Sequence, residues 1–422
     1  MEKITAVLLG AGDRGARAYA PYAVHYPHEL EFVAVAEADP ERREAIVQAQ
    51  GLQPEQTFAS WEDILSQPKM ADIAIICTQD RMHYAPTMKA LELGYHVLLE
   101  KPMSPDPKEC VEMELAAKKH NRMLTICHVL RYTTYWSAVK RVIQEGRIGK
   151  IVSIQLNENV GNMHMSHSFV RGNWNNSDTS SPMILAKSCH DMDLLAYLMD
   201  EPCVRLTSFG SLMHFNEHNA PEGAPARCLD GCPAEAACQY YAPNYYLGEG
   251  RGWARKFTLD DSREGVLEAL RTNDYGRCVY RSDNNVVDHQ VVNMEFASGA
   301  TAMFSMCGFT RDNTRIIQIM GTKGEIRGNM EHNEFSVYDL ITKEESTIRV
   351  SAPADGHGGG DREIVRNFLR DVRNYNGQEG LSSASASVRS HLMAFAAEES
   401  RLNHGEPINL DDYYNAIVAG RD

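Results

Sequence analysis

Through the first third of the chain, short apolar runs alternate with longer amphipathic stretches. Lys3 to Leu9 (KITAVLL), Glu31 to Ala36, Ile73 to Cys77, Tyr95 to Leu99 and Met123 to His128 are strand-sized and almost continuously apolar. Runs of that kind fit strands buried on both faces. Ala16 to Tyr26, Trp61 to Leu65, Pro86 to Leu93 and Pro107 to His120 lie between them and read as helices. Strands separated by helices predict a parallel, doubly wound α/β sheet. The rhythm then changes. A helix over Val139 to Glu145 leads into a strand, Ile151 to Asn157. From Val286 onward apolar and polar positions alternate (VVDHQVVNMEF, then ATAMFSMCGF) across an Ala297-Ser-Gly299 turn. Ile316 to Met320 and Gly324 to Arg327 continue the pattern across a Gly321–Gly324 turn. Alternation with such turns predicts antiparallel strands. Asp361 is expected to cap a helix running to about Tyr375, and Ser385 to Asn403 forms a last long helix.

At 422 residues the chain is too long for one ordinary core. The expected division is residues 1–127 and 128–422, with a cysteine-containing insertion at about 215–280. A net charge of −15, spread along the chain, argues against nucleic acid and anionic membrane as partners. No apolar run reaches transmembrane length, and the first residues do not read as a signal peptide, so a cytoplasmic protein is expected.

The first strand runs into Gly10-Ala-Gly12-Asp13-Arg14-Gly15 and a helix follows. A Gly-x-Gly-x-x-Gly turn in that setting brings backbone N–H groups close to a pyrophosphate. The second strand ends at Glu37, twenty-two residues past Gly15, where a carboxylate takes the ribose hydroxyls of NAD and repels a 2′-phosphate. NAD is therefore favoured over NADP, although Arg42 and Arg43 soften that preference. Three later strands end in polar loops: Thr78, Gln79 and Asp80 with His83; Glu100 and Lys101; His128, Arg131 and Tyr132. All would line the carboxyl edge of the sheet, where such folds bind ligands. Pro102 stops the fourth of the five runs and delivers Lys101 beside an acid, where a partly desolvated lysine can exchange a proton with a hydroxyl.

The glycine turn, the run Gly94-Tyr-His-Val-Leu-Leu-Glu-Lys-Pro102 and a later His190-Asp-x-Asp193 helix resemble the Gfo/Idh/MocA oxidoreductases over nearly the whole chain. The resemblance implies an N-terminal Rossmann domain and a C-terminal α/β domain with a large, mostly antiparallel sheet. It also implies hydride transfer between NAD(P) and a sugar, inositol or related polyol. Homo-oligomers, dimers or tetramers, would form through that sheet. Ser181 to Met199 reads as one helix and corresponds to the family's second catalytic motif, in which His190 matches the catalytic histidine. The family's aspartate four residues before it is replaced by Ala186, with Lys187 alongside. Lys101, His190 and Lys187 are thus the candidate catalytic set, with Asp193 one helical turn on, placed to hold the imidazole. Which of Lys101 and His190 is the base stays open.

Gly161 to Trp174 (GNMHMSHSFVRGNW) reads as a polar loop whose His164, His167, Arg171 and Trp174 suit a hydroxyl-rich ring. His357, flanked by glycines, suits a mobile lid; Asp283, Asp288 and His289 could also reach the site. Cys228, Cys232 and Cys238 fall within eleven residues, with Cys278 (or Cys189) available as a fourth ligand for a structural zinc; the alternative is unligated thiols. Taken together the chain reads as an NAD-dependent oxidoreductase of a sugar, glycoside or cyclitol secondary alcohol. The alternative is a glycoside-cleaving enzyme working by transient oxidation and elimination. A binding-only sensor is a third reading, against which Lys101 and His190 both speak.

Overall fold

The computed structural model describes residues 2–353 and 356–420. Asp355, in the expected glycine-flanked loop, lies outside these.

Six strands form the first sheet: β1 (Ile4–Leu9), β2 (Leu30–Ala36), β3 (Thr57–Phe58), β4 (Ile73–Ile76), β5 (His96–Leu99) and β6 (Leu124–Ile126). They are ordered 3-2-1-4-5-6 and every pair is parallel. The order reverses direction between β1 and β4, so the carboxyl ends of these two strands open onto a crevice. β4 and the last three residues of β5 are fully buried, which is why their sequences are unbroken apolar runs.

The second sheet has nine strands: β7 (Ile151–Asn159), β8 (Cys203–Ser211), β9 (His289–Phe296), β10 (Thr301–Cys307), β11 (Thr314–Gly321), β12 (Gly324–Asn329), β13 (Glu334–Asp339), β14 (Glu345–Arg349) and β15 (Ile408–Asn409). Their order is 14-13-12-11-7-10-9-8-15, antiparallel except where β10 lies parallel to β7. Val292, Met294 and Phe296 of β9 point to the core with Ala302, Phe304 and Met306 of β10, which accounts for the period-two pattern.

The expected boundary at residue 127 needs one amendment. Helix Gly360–Arg373 packs Ile364, Val365, Phe368 and Leu369 into the same core as Ile4, Leu8, Ile73 and Leu98 of the first sheet. Ser383 bridges Thr125 of β6, and Ile126 N–H donates to Ser382 O. The C-terminal part of the chain therefore returns to complete the layers around the first sheet.

Three local expectations are also corrected. Residues 161–174 are mostly not a loop: a short turn, Asn162–His164, runs into a π-helix, Met165–Arg171, whose residues are all buried. The segment expected as one helix from Ser181 to Met199 is two, Met183–Ala186 and Cys189–Met199, broken at Lys187 and Ser188. Asp361 does not cap its helix; Gly359 occupies that position, and the Asp361 carboxylate is engaged elsewhere. Between β8 and β9 the cysteine-bearing insertion builds its own small core from Cys228, Tyr241, Ala242, Tyr246, Ala254, Val266 and Leu270.

Candidate active site

The glycine turn follows β1 directly. A Cβ on Gly10 (φ +89°) would lie 2.6 Å from Cys77 O, and one on Gly15 would lie 2.1 Å from Gly10 O. Both glycines are required by the close packing of the turn. Gly12 differs: a Cβ there would meet only Arg42 Nη1, at 4.0 Å. That open space over the backbone is a cradle a side chain would fill, and it fits a pyrophosphate. Glu37 is brought to the same turn, its carboxylate accepting from Ala11 N–H at 2.6 Å and from Asp39 N–H at 3.0 Å. Gly10, Gly12, Asp13 and Gly15 thus share one turn, which Glu37 reaches through Ala11.

Several of the other residues expected to touch cofactor also make contacts within the protein. Arg14 donates to Glu100 Oε1 at 2.6 Å and to Asp361 Oδ1 at 2.6 Å, and Tyr19 OH donates to Glu100 at 2.5 Å. Arg14 and then Lys101 hold the Glu100 carboxyl below its usual range, against burial, which pushes it up. His83 is a strut, its Nδ1 2.7 Å from Pro102 O and its Nε2 3.0 Å from Thr78 O. Thr78 donates to Met82 O at 3.2 Å, and Gln79 precedes the 3-10 turn Asp80–Met82 at the mouth of the crevice.

Lys101 stands at the end of β5 as expected. Its ammonium donates to Ala186 O at 2.8 Å and lies 6.0 Å from the centre of the Trp174 ring. Where the family carries an aspartate, a backbone carbonyl therefore accepts from the lysine, leaving two of its three N–H donors for a ligand. His190, one turn on from Ala186, is buried and its Nδ1 has no partner. Burial first, and the charge of Lys101 second, hold its pKa well below the histidine range, so the ring is neutral. His357 faces it at 5.9 Å between ring centres, its Nδ1 3.1 Å from both Asp361 oxygens.

Around this pair lie two buried charge clusters. Lys187 Nζ is 2.9 Å from Glu158 Oε1, and Arg315 joins Glu158 at 2.8 Å to Asp191 at 2.7 Å. Lys187 therefore pairs with Glu158, and burial, helped by the Lys187 charge, lowers the pKa of the neighbouring His164 and His357 rings. Asp193 does not orient His190; it forms a double hydrogen bond with Arg131, at 2.6 and 2.7 Å. His128 sits 3.7 Å from Asp193 with both ring nitrogens unpartnered, 5.9 Å from the His190 ring.

Of the expected sugar contacts, Trp174 is at the site, donating from Nε1 toward Asp80 at 3.4 Å. His164 is near it, against Asn313 at 3.2 Å and within the field of Lys187. His167 and Arg171 are not. His167 bonds Tyr246 OH at 2.8 Å inside the insertion's aromatic cluster, and Arg171 donates to Tyr240 O at 2.6 Å and Arg277 O at 2.8 Å. Asp283 pairs with Arg277, and Asp288 takes the amides of Met213 and His214, with His289 against it.

Cys228, Cys232, Cys238 and Cys278 do line one small cavity, of about 10 Å³, while Cys189 is buried beside His190. None of them is in a disulfide, and among the described residues no group of three or more His, Cys, Asp or Glu is arranged to hold a metal. The Arg171 guanidinium, 3.7 Å from Cys228 Sγ, already supplies a cation there. Residues that sequence reasoning missed are Glu158 and Arg315, which no local spacing signals. Asp80, in the polar loop after β4, is buried and accepts from Ser181 at 2.8 Å, tying that loop to the substrate side.

Residues 4–128 match the oxidoreductase family's NAD-binding Rossmann fold, and residues 140–410 match its C-terminal alpha/beta domain. YteT of Bacillus subtilis (strain 168) is 23% identical over 388 residues, 87% of this chain and 88% of its own. D-glucoside 3-dehydrogenase of Escherichia coli (strain K12) is 27% identical over 146 residues, 34% of this chain and 40% of its own. Among solved structures, a levoglucosan dehydrogenase in complex with NADH and L-sorbose superposes with a TM-score of 0.73 at 19% identity, covering 97% of this chain and 99% of that one. With the glycine cradle, Glu37 and the Lys101–His190 pair in place, the matches to both domains make this chain a member of the Gfo/Idh/MocA oxidoreductase family, an NAD(P)-binding oxidoreductase related to the sugar and inositol dehydrogenases.

Proposed function

We propose that the protein oxidises a secondary alcohol of a sugar, glycoside or cyclitol, with NAD as the preferred cofactor. The observation that carries this reading is the buried His190 ring, its Nδ1 without a hydrogen-bond partner, set within the field of the Lys101 ammonium at the carboxyl end of β5. Gly12, Asp13 and Glu37 would hold the cofactor, which supplies the hydride acceptor. The remaining N–H donors of Lys101 bind the reacting hydroxyl and stabilise charge developing on its oxygen. His190 takes the hydroxyl proton, which a neutral imidazole with a free nitrogen is able to do. Trp174 offers an aromatic face to the ring, and Lys187 and His357 border it.

Glu37, a carboxylate at the end of β2 with one oxygen on Ala11 N–H of the glycine turn and the other on Asp39 N–H, supports NAD over NADP. The oxidation–elimination alternative gains one specific support: a 2,7-anhydro-N-acetylneuraminate hydratase of Escherichia coli (strain K12) is 26% identical over 35% of this chain. Mixing protein and NAD with sugars, inositols and nitrophenyl glycosides tests both. NADH formation without nitrophenol establishes the dehydrogenase. Nitrophenol release without net NADH transfers the protein to the alternative. Neither signal, with NADH bound, defeats both.

A further inference from the structure

The cysteine-bearing insertion takes no part in the chemistry above, yet it reaches across to the glycine turn. A cavity of about 330 Å³ lies between them, at the lower end of the range for small-molecule sites. Gly12 and Arg42 line one side; Arg255, Lys256 and Phe257 of the insertion line the other. Arg42 follows β2, so this is the adenosine end of a dinucleotide site, remote from Lys101. Two contacts close the wall: Arg17 donates to Arg255 O at 3.0 Å, and Lys256 lies 3.4 Å from Asp13.

Phe257 is held rigidly. Its ring stacks on Tyr275 at 4.6 Å with 18° between planes and meets Tyr246 edge-on at 4.9 Å. Tyr275 in turn packs on His167 at 4.7 Å. An aromatic ring backed this way offers a purine a flat partner at little entropic cost. The surrounding arginines and lysine suit phosphate oxygens.

We propose that the insertion is a clasp over the adenosine half of the cofactor, with Phe257 stacking the adenine and residues 255–259 forming a wall that must lift for release. The proposal rests on the NAD reading above. The closing pair is exposed on both sides, and pairs of that kind are weak enough to open. The His167 and Arg171 contacts gain a purpose by this account, since they anchor the clasp to the catalytic domain.

The test is NADH release from the whole protein, followed by fluorescence after a chase with excess NAD, together with competition by ADP-ribose and by nicotinamide mononucleotide. Phe257→Ala is expected to release NADH at least tenfold faster and to weaken ADP-ribose in step, with nicotinamide mononucleotide unchanged; Phe257→Tyr restores both. Lys256→Ala, at an exposed position that does not threaten folding, is expected to speed release roughly two- to fivefold. Unchanged release in Lys256→Ala and in a folded Phe257→Ala overturns the clasp and leaves the NAD reading standing. Failure of the unaltered protein to bind NADH overturns the NAD reading itself.

Discussion

His190 and Lys101 are two residues whose chemistry depends on what surrounds them more than on what they are. Desolvation and the nearby ammonium lower the His190 pKa, so the imidazole stays neutral well below the usual 6.5. The proton-accepting form is therefore the one present at neutral pH and is lost only as pH falls through that lowered value. The acid limb of a kcat profile should lie below the usual histidine range; a limb near 7 would contradict the assignment. His190→Asn should lower kcat by about 10²- to 10⁴-fold while NADH affinity, read by fluorescence, is unchanged. Asp193 acts differently, because it neutralises Arg131 and touches no reacting group. Asp193→Asn leaves that buried guanidinium unpaired and should cost about 3–5 kcal/mol in chemical denaturation.

The glycine turn and the strand ends carry the site at the scale of elements, and its three glycines are separable. Gly15→Ala drives a Cβ into Gly10 O, so the turn must shift and about 1–3 kcal/mol of stability should be lost. Gly12→Ala meets no protein atom closer than 4.0 Å, so its melting temperature should match that of the unaltered protein. Its methyl fills the cradle, and NADH affinity should fall at least tenfold by titration. Equal destabilisation by both variants would remove the distinction between packing and binding glycines. The π-helix Met165–Arg171 shows the opposite relation between sequence and role. Its polar residues read as substrate contacts, but the insertion's aromatic rings cover them and use them as anchors.

For the molecule as a whole, burial of histidine sets the response to acid. His167 and His391 are buried and pushed down to about 3, chiefly by desolvation. An unfolded chain protonates such groups at about 6.5, so it binds more protons than the folded one once pH falls below that value. Stability is unaffected by them above pH 7 and is lost progressively below 6.5, by about 2 kcal/mol for each at pH 5. Melting temperature should drop steeply between pH 6.5 and 5; a flat profile there would show that these rings are protonated in the folded protein.

What the sequence determined by itself is what local physics controls. Period-two and continuous apolar runs marked both sheets, because burial on one face or two acts on neighbouring residues directly. The Gly10–Gly15 turn, Glu37, the Glu100-Lys101-Pro102 stop and the His190 helix were legible because each needs particular residue types at short spacing. The tertiary structure decided the partners. Ala186 contributes a carbonyl, which every residue has, so no side chain announces that it receives Lys101. Arg131 takes Asp193, Glu158 takes Lys187, and Arg14 joins Glu100 to Asp361. A charge taken out of water must find an opposite charge nearby, and which one it finds depends on chain segments far apart in sequence.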